Sequence, residues 1–490
     1  MNGSGNLPLV KEVSGAPAPE DLFTGLGGEP WVLWLDTALP GREWGRFSFL
    51  AVDPFRVLRG RAGRSEWIGP NGVRSAPGDP LTELEGALAG HRLRPHEDLP
   101  PFCGGAGGMF GYELAGDLEA LPAAACRDLR TPDLELGLYD LVVGWDRQDD
   151  RCWIASTGAP NLSDAAHDRA ACRLARAEAW LQGGPPPADH RVPGGSGLRF
   201  DATPPPSTYP VPGSPGFRST FSPAGYRGAV RRAIEWIRAG DIYQVNLSQR
   251  FETRSEESPA DLYRRLREAS PAPFGAYYAG SGFSVLSTSP ERFLQLTASG
   301  KAQTRPIKGT RPRGDDPLED RRLAVELESS VKDRAENLMI VDLLRNDLSR
   351  VCRPNSVRAV DLFRVESYRT VHHLVSTVEG RLREGRAAAD LLRATFPCGS
   401  VTGAPKIRAM QIISELEPVA RGPYCGAVGY MGFGGDMDTS VSIRIAVATE
   451  GRIAFHAGGA VVADSDPEAE YEETLDKARA IVTAVSGTRA

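Results

Sequence analysis

The chain has 490 residues, 41% hydrophobic and 24% charged, enough to bury a large core in one big domain or two or three smaller ones. Its 57 Lys and Arg against 63 Asp and Glu give a net charge of -6, so no basic excess exists to neutralise a nucleic-acid backbone. No apolar run reaches the roughly 18 residues that span a bilayer, and the opening MNGSGNLPLVKEV lacks the apolar stretch of a secretion signal, which points to a soluble, cytoplasmic protein.

In chain order, short apolar stretches at 31–35 and 136–145, bounded by Pro and Gly, predict strands, and 164–181 predicts a helix. The run GGAGGMFG at 104–111 has the spacing G-x-G-x-x-x-G, which fits a tight turn better than a nucleotide-binding loop. The seven cysteines (Cys103, Cys126, Cys152, Cys172, Cys352, Cys398, Cys425) form no C-x-x-C pair and read as reduced thiols with packing roles. From 183 to 220 the chain is too rich in Pro, Gly and Ser for helix or strand to run through it. It divides an N-terminal region, 1–182, from a C-terminal region, 221–490.

After this linker Ser222 is placed to cap a helix with Pro223 at its first position, apolar Tyr226, Val230, Ala233, Ile234 and Ile237 on one face, and Gly240 as its stop. DIYQVNLSQRF then alternates Tyr243, Val245 and Leu247 with Gln244, Asn246 and Ser248, the period of a strand with one packed and one polar face. A second strand, 439–447, is expected to set Ser440, Ser442 and Arg444 opposite Val441, Ile443 and Ile445.

Between these strands lies Lys308, in TRPIKGTRPRG, read as a Pro- and Gly-punctuated turn. Neighbouring arginines would lower its pKa and free the amine as a nucleophile; a solvated loop lysine is the bland alternative. Asp333 and Glu336 in one predicted helix, and Glu470 and Glu473 in another, stand three apart and so share a helical face. Should the helices meet, four carboxylates would converge on a hard cation, most plausibly magnesium; otherwise they are solvated faces, with Glu473 and Lys477 an i,i+4 ion pair. FPCGSVTGAPKIR passes from a turn into a helix, so free N–H groups at 400–403 would hold an anion. Arg444 offers a fork for a second anionic group, with Tyr424 donating a hydroxyl, or else forms a structural salt bridge. His373, beside His372, reads as a general acid or base or as a satisfied core histidine. The residues alone thus describe an α/β enzyme with one metal, a small substrate bearing two carboxylates and a lysine nucleophile. A magnesium-dependent phosphate-ester hydrolase would use the same anion sites but leave Lys308 without a purpose.

GDIYQVNLSQRF, STSPERF, TRPIKGTRPRG, DRAENLMIVDLLRNDLSRV, GSVTGAPKIRAM, RGPYCGAVGY, DTSVSIRI and GGAVVADSDPEAEYEETLDKA, in that order, resemble the serial signatures of the chorismate-utilising enzymes. GRFSFLAVDP and GGAGGMFGYE resemble the less distinctive N-terminal part of that family. The resemblance implies an α+β fold of two packed antiparallel sheets with helices outside, into whose core the N-terminal half also packs. It implies Glu336 and Glu473 as magnesium ligands, with Asp333 and Glu470 as water-mediated supports. Arg444 and Tyr424, with backbone amides near Gly459, would take the enolpyruvyl carboxylate. Lys477 and the turn of Ser400, Thr402 and Gly403 would face the ring carboxylate. Glu291 in SPERF would protonate the departing hydroxyl, and His373 would lie beside the ring.

Two positions separate the branches of the family. Members that add water carry a lysine where this chain has Gln244, so the implied nucleophile is ammonia; anthranilate-forming members carry alanine where this chain has Lys308. In the remaining branch that lysine adds to the ring as the hydroxyl leaves and ammonia then displaces it, giving 4-amino-4-deoxychorismate for p-aminobenzoate and folate synthesis. Anthranilate formation is the runner-up, and a non-catalytic chorismate or tryptophan sensor is the alternative of a different class. No G-x-C-x-G elbow is present, so a separate glutamine amidotransferase subunit is implied as the ammonia source. Cys398 and Ala460 stand where the family usually has glycine, adding a Cβ close to the pocket. Leu35-Asp36-Thr37 departs from the Leu-Glu-Ser of tryptophan-inhibited members.

Overall fold

The computed structural model describes residues 7–39, 44–94, 99–161, 164–193, 203, 206–369 and 371–487. The signals after the linker become structure as written: the Ser222 hydroxyl accepts from the Gly225 N–H at 3.1 Å, Pro223 opens the helix Pro223–Ala239, and Gly240 ends it at φ 86. Tyr226, Val230, Ala233 and Ile234 are buried in the core and Ile237 packs against it. The strand Gln244–Arg254 follows, its Val245 and Leu247 fully buried, and pairs antiparallel with Arg452–Val461. The helix Asp164–Leu181 stands where its pattern predicts.

Two antiparallel sheets carry the molecule, and both regions of the chain contribute to each. In the first, the N-terminal strand Leu33–Asp36 pairs with Phe274–Ala279. In the second, Gly105–Phe110 pairs with Ala427–Gly432. Residues of both sheets fill one core, with helices such as Pro467–Ser486 packed outside. This is the α+β arrangement that the resemblance implies, not an α/β fold with a parallel sheet. Among the described residues no helix is long and apolar enough to cross a membrane.

Four local expectations are corrected. The glycine run is a buried central strand, not a turn: a Cβ at Gly105 would sit 2.3 Å from the Met431 carbonyl oxygen, and one at Gly107 would sit 2.4 Å from Leu33 of the opposite sheet. Glycine is there because neighbouring backbone and the facing sheet leave no volume for a side chain. The 439–447 stretch is two strands in different sheets, Met437–Val441 in the second and Ile445–Thr449 in the first. The crossing is made by Ser442, Ile443 and Arg444, and Arg444 adopts φ 50, a left-handed conformation whose cost is on the order of 1–3 kcal/mol for a non-glycine residue. The Lys308 segment is also a strand, Ile307–Pro312, on the edge of the second sheet, with a register break between Ile307 and Thr310. Gly309 sits in that break at φ 86, where a Cβ would come within 2.9 Å of both Asp333 and Leu327. Finally, the end of the linker does form strand: Tyr209–Pro210 and Arg218–Ser219 extend the first sheet beside Gln244–Arg254, while 194–202, 204 and 205 lie outside the described residues.

Candidate active site

A cavity of about 610 Å³ is lined by both sheets and by the helices Val331–Ser349 and Pro467–Ser486. Lys308 reaches it because the bulge in its strand re-aims the side chain, whose Nζ donates to the Ser400 carbonyl at 3.2 Å. Its pKa is lowered chiefly by burial, with Glu336 and Glu291 opposing and Lys477 assisting. The neighbouring arginines are not the cause. Arg305 is paired with Glu366, Arg311 with Glu326 and Asp333, and Arg313 with Asp320.

Glu291 follows the strand Phe283–Ser289 and is held by its own N–H donating to Ser289 Oγ at 3.2 Å. Glu291 is 3% exposed, its Oε1 has no partner among the described residues, and burial pushes the carboxyl up to about 7 against the Ser400 hydroxyl and Lys308. A carboxyl with that pKa is protonated often enough near neutrality to serve as a general acid. His373 lines the same cavity with Nδ1 2.8 Å from Thr310 Oγ1. Burial first, then Arg444 and His372, bring it down to about 3. It is therefore a neutral imidazole in the working range and cannot act there as an imidazolium acid.

Arg444, delivered by the crossing between sheets, has no carboxylate partner among the described residues, and burial alone lowers its pKa. The salt-bridge alternative is thus not realised; a half-buried guanidinium facing a cavity without a counter-ion is suited to an anionic ligand. Tyr424 lines the same cavity and stacks on His456, ring centroids 5.0 Å apart and 9° from parallel.

The turn that presents Tyr424 is braced by a residue the motif contained but the sequence reading left without a role, Arg421. It forms a bidentate pair with Glu417 (2.9 and 2.6 Å) and donates to the carbonyls of Val401 (3.0 Å) and Asn246 (2.7 Å). From the N-terminal region, Glu113 accepts the N–H groups of Arg421 and Gly422 at 2.8 and 2.9 Å, and the Tyr112 ring lies under the Arg421 guanidinium at 4.8 Å. His456 also went unassigned; its only signal was an imidazole in an otherwise apolar strand two residues before Gly458.

All four predicted carboxylates line the cavity. Glu336 is half-buried and makes no ion pair or hydrogen bond among the described residues; burial raises its pKa, with Lys308 and Lys332 opposing. Glu470 is buried, accepts from Ser465 at 2.7 Å through Oε1, and has no partner for Oε2 among the described residues. Glu473 is paired with Lys477 at 2.5 Å, and Lys477 also donates to the Gly458 carbonyl at 2.9 Å. Asp333 is occupied by Arg311 at 3.1 Å. No three His, Cys, Asp or Glu side chains among the described residues gather into a ready-made metal cage. What fits is a cation that takes few protein ligands and keeps waters, as magnesium does: Glu336 is free to receive it, and Glu473 would be once Lys477 swings away.

Four predicted residues lie off the cavity surface. Gln244 is fully buried, and neither amide atom has a hydrogen-bond partner among the described residues. Thr402 donates its hydroxyl to the Cys398 and Gly399 carbonyls, and Gly403 is paired with Val245 in the sheet. Gly459 fronts the acidic pair, where a Cβ would come within 2.8 Å of Glu470 Oε2. The expected anion turn is mostly self-satisfied, since the Val401 and Thr402 N–H groups donate to Cys398 and Gly399; of the turn 400–403, Ser400 and Val401 reach the cavity. Ala460 does place its Cβ-bearing residue on the wall, whereas Cys398 is a buried thiol behind Ser400, 3.2 Å from its hydroxyl and pushed up to about 12.

Residues 37–483 match the sequence pattern of the chorismate binding enzymes. Aminodeoxychorismate synthase component 1 of Salmonella typhimurium is 41% identical over 466 residues, 95% of each chain. Anthranilate synthase component 1 of Streptomyces coelicolor is 42% identical over 432 residues, 87% of this chain and 82% of that one. Among solved structures, anthranilate synthase component I of Streptococcus pneumoniae superposes with a TM-score of 0.74 at 30% identity, covering 96% of this chain and 99% of that one. The chain belongs to the chorismate binding enzyme family.

Proposed function

We propose that this cavity converts chorismate and ammonia into 4-amino-4-deoxychorismate, with Lys308 as a covalent nucleophile. The observation that carries the reading is a half-buried lysine of lowered basicity in the same cavity as a carboxyl poised near 7, which supports nucleophile and acid acting together. Identity alone does not separate the branches, since the Salmonella and Streptomyces relatives match about equally; Lys308 favours the former.

In this mechanism Arg444 and Tyr424 hold the enolpyruvyl carboxylate. Glu291 gives its proton to the ring hydroxyl, which departs as water. The Lys308 amine forms a C–N bond two carbons away as the ring double bond shifts, and returns its proton to Glu291. Ammonia attacks the carbon that bore the hydroxyl, the double bond shifts back, and the bond to Lys308 breaks as the lysine amine recovers a proton. Two allylic displacements restore the substituent to its original carbon, which gives the nucleophile a purpose. His373, neutral beside the ring, fills a positioning role. Magnesium, when bound by Glu336 and Glu473 with Asp333 and Glu470 behind, would neutralise and orient the ring carboxylate. Lys477 would move from Glu473 to face that carboxylate, and Ser400 would complete the wall.

The relatives' designation as component 1 supports a second component, which in this reading is a glutamine amidotransferase that supplies ammonia. The test is incubation of the purified chain with chorismate, magnesium and ammonium, with the products separated. The expected product is aminodeoxychorismate. Anthranilate as the main product would overturn the reading, and tight chorismate binding without turnover would favour the sensor.

A further inference from the structure

The two residues assigned to the enolpyruvyl carboxylate hang on stretches of backbone that are strained and tied to each other. Tyr424 sits in the turn 421–426, where Gly422 has φ 59 and Cys425 φ 62, and Arg444 itself has φ 50. Cys425 and Arg444 carry a Cβ in the left-handed region, so their surroundings must hold them there. One hold is mutual. The Cys425 N–H donates to the Ser442 carbonyl at 2.8 Å and the Ser442 N–H to the Gly426 carbonyl at 3.0 Å, which joins the turn to the crossing that delivers Arg444. The other hold comes from the N-terminal region. Glu113, in the short helical turn Tyr112–Leu114, takes the Arg421 N–H on Oε1 at 2.8 Å and the Gly422 N–H on Oε2 at 2.9 Å. Two main-chain bonds run beside it, from the Tyr112 N–H to the Gly422 carbonyl at 2.7 Å and from the Ala420 N–H to the Cys126 carbonyl at 2.8 Å.

We propose that Glu113 is a positioning residue for the substrate, setting Tyr424 and, through Ser442, Arg444 at the spacing that the enolpyruvyl carboxylate requires. This rests on the role given to Arg444 and Tyr424 in the function proposed above. Glu113 lies behind the cavity wall and acts through the turn. Its carboxylate is spent on main chain and not on the neighbouring Arg421 guanidinium, which Glu417 already holds. It therefore fixes where the backbone of the turn lies, through bonds that its charge strengthens. The bonds made by the Tyr112 and Ala420 N–H groups do not depend on that charge, so without it the turn loosens and does not detach. A carboxylate held from two sides needs both donors in place at once, and a small displacement of the turn weakens that hold.

The test uses the full chain with magnesium present, well above pH 7, where Glu113, pushed up to about 7 by burial, is ionised. Glu113→Gln keeps one acceptor and turns an amide N–H toward the second backbone donor. It is expected to raise the chorismate KM and the calorimetric Kd about tenfold, the loss of one charge-assisted bond, with kcat within about twofold, because the carboxylate is held alike before and during reaction. Tyr424→Phe supplies the readout that a merely structural role would not move. In wild type it is expected to raise the chorismate KM roughly tenfold, and in the Glu113→Gln chain by less than about threefold, since the hydroxyl there is already misplaced. Unchanged KM in Glu113→Gln, a fall in kcat without a rise in KM, or effects of the two substitutions that multiply would overturn the assignment. Should Glu113→Gln not fold, Glu113→Asp, which keeps the charge on a shorter reach, carries the same test with an expected rise of about threefold. Wild type that forms anthranilate, or binds chorismate without turnover, sinks the functional reading but leaves Glu113 readable in the Kd; wild type that binds no chorismate overturns both.

Discussion

Buried charge is handled in opposite ways in the N-terminal region and in the cavity. Arg59 and Arg173, each 1% exposed, are paired with carboxylates: Arg59 with Glu135 at 2.7 Å and Glu66 at 3.0 Å, Arg173 with Asp53 at 2.7 Å, Asp189 at 2.6 Å and Asp140 at 2.9 Å. A second cavity of about 270 Å³ repeats the pattern, with Arg292 paired to Asp438, Arg46 to Asp146 and Asp36 to Arg267. In the larger cavity Arg444 has no counter-ion, and Glu291 Oε1, Glu470 Oε2 and His456 Nε2 have no partners among the described residues. A buried charge already paired holds the fold together; one left open is kept for a ligand, at some expense in stability.

Breaking that contrast is most direct at Lys308, whose side chain makes one hydrogen bond among the described residues, to the Ser400 carbonyl. Lys308→Ala and Lys308→Arg should each lower amination by at least about 10³-fold while leaving the thermal midpoint near wild type, because arginine keeps charge without nucleophilicity. An arginine variant of full activity would reduce Lys308 to electrostatics. A chorismate-derived adduct on Lys308, trapped and mapped by mass spectrometry, is the direct positive result.

Glu291→Gln should cost on the order of 10²–10⁴ in rate, the usual range for a general acid. The sign of its pH effect follows from the raised pKa: the proton needed by the leaving hydroxyl is present below about 7 and lost above it. At constant free ammonia, kcat/KM for chorismate in wild type should therefore fall as pH passes 7, and the glutamine variant should lose that limb. A descending limb retained in the variant would assign the acid elsewhere.

The contrast itself is sharpened by one pair of substitutions. Arg444→Met should raise the chorismate KM roughly 10²-fold, as expected for removing one side of a buried charge pair, with stability unchanged or slightly higher. Arg173→Met should lower stability by about 3–5 kcal/mol, because Asp53, Asp140 and Asp189 are left without their cation, and leave the KM of the folded fraction alone. Exchange of these two phenotypes in denaturation and kinetic assays would undo the distinction. The smallest expected effect is at the metal: Glu336→Gln or Glu473→Gln should raise the magnesium needed for half-maximal turnover about 10-fold without unfolding the chain. Unchanged magnesium dependence in both would return these helices to the solvated-face reading.

The sequence by itself determined what depends on near neighbours. The Ser222 cap, the apolar face ending at Gly240 and the alternation from Gln244 onward are set by residues a few positions apart, and they stand in the fold as written. The shared helical faces of Asp333 with Glu336 and Glu470 with Glu473 were legible for the same reason; that both faces line one cavity was not. Alternation over 439–447 failed because period two says which residues share a face, not which sheet the strand belongs to, and the chain changes sheets at Ser442 to Arg444. The glycines of 105–110 suggested a turn because their constraint comes from Met431 and Leu33, far away in sequence. Which charges are spent and which are open was decided by tertiary structure alone. The arginines near Lys308 are quenched by Glu366, Glu326, Asp333 and Asp320, while Arg444 has no carboxylate partner and Glu291 Oε1 and His456 Nε2 no hydrogen bond among the described residues. Desolvation and pairing are properties of a neighbourhood in space, and no local pattern encodes them.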